Sequence, residues 1–399
     1  MRRTASGLMR VCAAGLFFAL AIPFSLTACA RPFEVDRERA DDVIPVGTAS
    51  VNPLRTDKEF QAAMSGYPVI RDAFSNAVNV PGLYGAYGLA AAKDGYVLAR
   101  SDGFTPQGLA LSEEFVFISA YDHDRQLNSV IFILDLDGRF IKTISLDNKA
   151  HVGGIGYDSE RGVLWVGDRR EGRAVISAVE QEVIDSYDIE SKQPVEYGLS
   201  FYIDSLPATS SLSFSEDVLW AGNFSNEAEE SQLPLFSLEF ADVAEGDDVT
   251  LTRAGDSNHV RITKSGEIHI TADVAFRTPK EVQGIAWDGE YLYLAQSFGT
   301  KDSKLSRYEP VLDGEDATFG KGRSIALPPY LEQVAVAEND EANYVIPLFE
   351  SAQPTYRKKV DAFVDRVVAL TRDAFEDASA DDREAPQLTE IPVTVVDGD

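Results

Sequence analysis

"HVGGIGYDSERGVLWVGD", residues 151–168, is the stretch from which the fold is read. A short apolar run at 154–157 meets a polar turn at 158–162, and a second apolar run follows at 163–167. β-Branched and aromatic residues on both sides of a Gly/Asp/Ser turn mark an antiparallel hairpin. The pattern returns as "QGLALSEEFVFISAYD" at 107–122, "SSLSFSEDVLWAGNF" at 210–224 and "QGIAWDGEYLYLAQSF" at 283–298. A weaker copy, "EQVAVAENDEANYVIPLFES", occupies 332–351. Each copy has a small or polar start, a strand, an acidic turn, an apolar strand and a polar end. Hairpins repeated at intervals near the ~40–45 residues of a propeller blade predict an all-β chain folded as a single β-propeller. Five copies are visible, and a sixth blade assembled from the two terminal regions makes six the expected number, with five and seven open.

The interval between the copies beginning at Ser211 and Gly284 is the longest, and its polar segments at 226–232 and 241–248 read as loop insertions. Residues 260–274, "VRITKSGEIHITADV", fit either a blade remnant or an outer strand pair. Residues 84–103 form a Gly/Ala-rich stretch expected to supply a ring-closing strand. After the first hairpin, 130–136 and 140–146 are third and fourth strands around an Asp137-Gly138 turn. Residues 364–370 are a third strand of the last repeat.

Outside the repeats, Arg2, Arg3 and Arg10 precede an apolar core at 12–24, and Leu26-Thr27-Ala28-Cys29 matches a bacterial lipobox. The expected organisation is a lipoprotein signal peptide at 1–28, a tether at 29–55, short helices packed on the domain at 56–80, the propeller at 81–371, and an acidic tail at 372–399 with an edge strand at 392–396. Cys29 is the expected lipidation site, placing the protein at the outer face of the cell membrane. The chain's two cysteines are Cys12 and Cys29, so removal of the signal leaves no internal disulfide. Thr56-Asp57-Lys58-Glu59 is a capping box, with Phe60 and Met64 on one helical face. A formal charge of −29 argues against a nucleic-acid partner, because phosphate backbones are bound with clustered Lys and Arg.

The chain resembles secreted bacterial β-propeller proteins in "PGL" at 81–83, "GFTPQG" at 103–108, "ISAYD" at 118–122 and "HVGG" at 151–154. The resemblance implies a fold and an exported location, and no activity.

Propeller geometry converts the repeats into a candidate site. The innermost strand of a blade crosses the disc and the second strand returns, so residues before the first and after the second share one face near the axis. The first set is Gln107, His151, Ser210, Gln283 and Glu332. The second is Tyr121 with Asp122, Asp168, Asn223, Ser297, and Glu350 with Ser351. Strand ends are often polar for turn reasons alone. A His, amides and acids together nevertheless suggest a binding mouth. Gln107, Tyr121, Ser210, Gln283, Ser297 and Ser351 are the expected ligand contacts, and His151 the candidate base. Asp122, Asp168, Asn223, Glu332 and Glu350 are candidate ligands for a hard cation, Ca²⁺ first. Tyr121, Phe224 and Phe298 are the aromatics placed to stack on a ligand. His123, His259 and His269 lie away from this set.

A binding or scaffolding module for a small molecule, glycan or protein is therefore the first functional reading. A metal-dependent hydrolase is the second, similar in architecture to calcium-dependent lactonases of the gluconolactonase type. A purely structural envelope protein is the third. No nucleophile elbow, His-Glu-x-x-His helix or Walker loop occurs in the chain.

Overall fold

The computed structural model describes residues 44–215, 217–238, 240, 260–313, 316–338, 342–380 and 385–390. Cys29 and its signal, the polar insert at 241–248, His259 and the edge strand expected at 392–396 lie outside the described residues. The described chain is a five-bladed propeller. Its five inner strands are Phe104–Leu111, Ile155–Asp158, Ser211–Ser215, Val282–Trp287 and Leu331–Glu338. They neighbour one another in that order, and the fifth returns to the first. Each pairs antiparallel with its successor, as the hairpin pattern predicts. The first blade continues through Val130–Asp135 and Phe140–Ser145 around Asp137-Gly138, where Gly138 takes φ +80.

The small residue that opens most repeats has a steric origin. Inner strands converge on the axis, so their backbones nearly touch. A Cβ on Gly153 would stand 2.3 Å from the Ser210 carbonyl oxygen. One on Gly284 would stand 2.6 Å from the Gln333 Cα. The fifth blade carries Gln333 where other blades have Gly or Ser, and this fully buried side chain fills the axis. Its Oε1 accepts from the Ile285 and Val334 N–H groups, and its Nε2 donates to the Gly153 carbonyl. One amide thereby links blades five, four and two.

The sixth blade does not form, because the terminal segments join existing blades. Ala77–Asn79 pairs with Arg366–Val368 beside the fifth blade, whose third strand is Leu370–Thr371. Residues 84–103 close no ring: Ala86–Ala92 and Gly95–Ser101 make a separate two-stranded hairpin against the first blade. The long interval before Gly284 is explained in part by Val260–Ile262 and Ile268–Ile270, an outer pair laid on the second blade. Further along, Ser379–Ala380 adds an outer strand to blade four and Gln387–Thr389 one to blade three.

Residues 44–55, expected to belong to a free tether, are bound. Ser50 N–H donates to the Gly85 carbonyl, and the Arg55 N–H donates to Asp365. Asp365 is fully buried beside Arg366, whose guanidinium also pairs with Asp57 and lies 4.3 Å over the Phe60 ring. Asp57–Ala63 is a helix with the expected capping box, Thr56 Oγ1 accepting from the Glu59 N–H and Glu59 Oε2 accepting from the Thr56 N–H. It and the helix Pro68–Asp72 bury Phe60, Met64 and Ile70 against blades four and five. No helix among the described residues is long and apolar enough to cross a membrane.

Candidate functional site

One face of the ring opens into a cavity of about 710 Å³ on the axis, with walls from all five blades. Gln107, Tyr121, His151, Asp168, Ser210, Gln283, Glu332 and Glu350 line it, eight of the twelve strand-end positions singled out from the repeats. Three are placed by a feature that no pattern reveals. The strand pairing slips at Pro106/Gly108, at Val282/Gly284 and at Leu331/Gln333. The extra residue is Gln107, Gln283 or Glu332, and such a bulge re-aims a side chain. Backbone strain gathers at the same level: Val152, Glu281 and Tyr330 have φ of 55, 63 and 67 just ahead of three inner strands. Left-handed backbone costs a non-glycine residue about 1–2 kcal/mol, so these turns are held by their surroundings. The Val152 carbonyl, for example, accepts from the Ser119 hydroxyl at 2.5 Å.

The remaining candidates are occupied elsewhere. Asp122 Oδ1 accepts from the Ser101 hydroxyl, while its Oδ2 takes the Gln126 and Leu127 N–H groups. Asp122 lines a neighbouring groove, with His123 and Asp102, rather than the mouth. Asn223 bonds the Gln232 N–H and the Glu230 carbonyl. Buried Ser297 accepts from Ser303, and buried Ser351 accepts from the Val364 N–H. Of the stacking aromatics, Phe224 lines the mouth and Phe298 is half exposed outside it. The five oxygen ligands expected for Ca²⁺ are thus not gathered, and no three His, Cys, Asp or Glu side chains stand at metal-ligand spacing among the described residues.

The acids that do reach the mouth behave differently from a repelling ring. Glu332 and Glu350, both more than nine-tenths buried, are hydrogen-bonded to each other. Carboxylates only accept, so a hydrogen bond between two carboxyls requires a proton on one of them. Burial raises both pKa values, Glu350 to about 8; the charge of Glu350 further opposes ionisation of Glu332, whereas the hydrogen bonds from Glu332 and Gln107 offset part of the rise at Glu350. Gln107 Nε2 donates to Glu350 Oε2 at 3.2 Å. Asp168 is likewise raised by burial. Its Oδ2 accepts from Asn148 Nδ2 at 2.5 Å. Its buried Oδ1 lacks a well-formed hydrogen bond, although the Arg169 N–H lies close enough to offset part of the desolvation.

His151 stacks on Tyr121, centroids 4.3 Å apart and rings nearly parallel, and the Arg125 guanidinium also packs on that ring. The imidazole is lowered from its ordinary value, by the crowded mouth first and by Arg125 and His123 after. A neutral imidazole is a competent base or acceptor.

The repeats did not flag Arg125, Asn148, Lys149, Arg169, Thr209 or Tyr356, all on the cavity wall. Arg169 sits near the end of the second strand of blade two, and the others come from the loops after second and fourth strands, which carry no shared pattern. Arg125 and Lys149 hold each other, each side chain donating to the other's carbonyl. The mouth therefore carries basic groups beside buried acids whose pKa values burial raises, inside a strongly acidic protein.

No family model matches the chain, and no curated protein matches it. Solved structures similar to it include the WD40 β-propeller domain of Doa1, at 10% identity and TM-score 0.33, covering 72% of this chain and 97% of that one. The GH43_1 enzyme from Xanthomonas citri complexed with xylose is 8% identical at TM-score 0.36, covering 82% and 96%. A nidogen/laminin complex is 10% identical at TM-score 0.32, covering 67% and 89%. Likenesses this distant carry nothing about ligand or reaction.

Proposed function

We propose that this chain is an exported, lipid-anchored propeller that binds a small polar ligand in its axial mouth. The observation that supports the reading is the cavity itself, to which every blade contributes a polar or aromatic side chain. Convergent polar groups in a concave, preformed site are the usual makings of a ligand pocket. Anchoring rests on Leu26-Thr27-Ala28-Cys29. Cys29→Ser is expected to move the protein from the membrane to the soluble fraction, and a variant that stays with the membrane argues against lipidation.

Ligand binding is tested by melting the wild type and the double variant His151→Ala/Gln283→Leu with a panel of sugars, amino acids, dicarboxylates, short peptides and Ca²⁺. A ligand at ~100 times its Kd stabilises the folded state by about 2.7 kcal/mol. At least one compound is expected to raise the melting temperature of the wild type alone. A panel that never separates the two proteins counts against the mouth.

A hydrolytic reading draws on the proton held between Glu332 and Glu350, which suits acid–base work. Turnover of a lactone or ester that disappears in Glu350→Gln would replace the binding reading.

A further inference from the structure

The floor of the mouth is chemically unusual. Glu332 and Glu350 are hydrogen-bonded to each other, and among the described residues no cation acts on Glu332 and only Lys359 acts on Glu350, through space. Lys359 itself stands over the Tyr356 ring. The other polar neighbours are Gln107 and the phenols of Tyr121, Tyr330 and Tyr356. From the second blade, Asp168 adds a third buried carboxyl to the same cavity. An independent observation lies elsewhere on the cavity wall: Thr209, 5% exposed and lining the cavity, has a buried hydroxyl without a partner among the described residues.

We propose that the Glu332–Glu350 pair is the recognition point for a ligand's protonated amine, so that the mouth takes organic amines. The inference rests on the binding reading above and names its ligand class. An ammonium donates three hydrogen bonds and cancels a charge, so it replaces the proton that joins the two carboxyls. A neutral hydroxyl leaves the second carboxyl as it was. A compact metal ion fits less well, since no three ligating side chains converge within its reach among the described residues. Tyr121, Phe224 and Tyr356 supply aromatic surface in the same cavity, which favours a cation.

The experiment compares glucosamine with glucose, and propylamine with propanol, by calorimetry at neutral pH in two buffers of different ionisation enthalpy. Wild type is expected to bind the amines in preference to their hydroxyl partners and to release about one proton per amine bound. Glu332→Gln and Glu350→Gln are expected to lose both the preference and the proton release, with circular dichroism confirming that each is folded. Amine binding without proton release, or unchanged in both variants, overturns the inference. Equal binding of glucose and glucosamine that vanishes in His151→Ala/Gln283→Leu overturns it while keeping the mouth as a binding site. No binding by any of the four probes removes the amine assignment, and the wider panel then decides the fate of the mouth separately.

Discussion

Glu350→Gln is expected to make the protein more resistant to alkaline conditions than the wild type. The reason is the direction in which burial moves the carboxyl pair. Glu350 titrates at about 8 in the folded protein against 4.5 for an ordinary glutamate, and Glu332 is raised as well. The folded state therefore holds more protons than the unfolded chain throughout that interval. Stability consequently falls as pH rises from near 4.5 through about 8, the reverse of a salt-bridged carboxylate. Each pH unit of unequal titration is worth about 1.4 kcal/mol, so the pair carries a penalty of a few kcal/mol above that window. A glutamine keeps the polar contact and has nothing to ionise. Urea denaturation across the window should show a stability difference, variant minus wild type, that grows with pH. A constant difference would mean that the carboxyls do not share a proton. Asp168, raised by burial too, adds a slope of the same sign that both proteins retain.

Gly284→Ala is expected to be the most damaging single methyl in the ring. The added Cβ would lie 2.3 Å from Gln333 Oε1, 2.6 Å from the Gln333 Cα and 2.7 Å from the Glu332 carbonyl oxygen. Two of these three atoms are backbone, so no side-chain rotation relieves the overlap. Moving Gln333 away strands the buried Ile285 and Val334 N–H groups that its Oε1 satisfies. Overpacking and lost buried hydrogen bonds together make the cost about 3 kcal/mol or more. Gly66→Ala is the control: its Cβ meets nothing within 4 Å, and its effect should stay within about 0.5 kcal/mol. Equal denaturation midpoints for the two variants would refute the close approach of inner strands at the axis.

The fold was legible because a hairpin is a local object. Residues 154–167 carry their own alternation and their own turn, and four further copies state the same arrangement. The glycine opening "GGIG" and "QGIAW" was legible as a small residue, and its cause, backbones meeting at an axis, follows once the repeats are closed in a ring. That eight strand-end residues share one cavity is also a consequence of repetition, since equivalent positions in equivalent blades must face the same way.

Blade number was not legible. It depends on whether the terminal segments make a new blade or extend old ones, and that choice is made by non-local contacts such as Arg366 with Asp57 and Arg55 with Asp365. Asp122 and Asn223 look the same in sequence as Asp168, and only loop geometry gives the first two to backbone N–H groups. The bulges that aim Gln107, Gln283 and Glu332 depend on the register against a partner strand. The decisive case is Glu332 and Glu350, which stand at opposite ends of one hairpin. The sequence determined that both carboxyls lie at the mouth. The tertiary structure decided that they are buried together with no cation in contact among the described residues, and burial turns two charges into a proton-sharing pair.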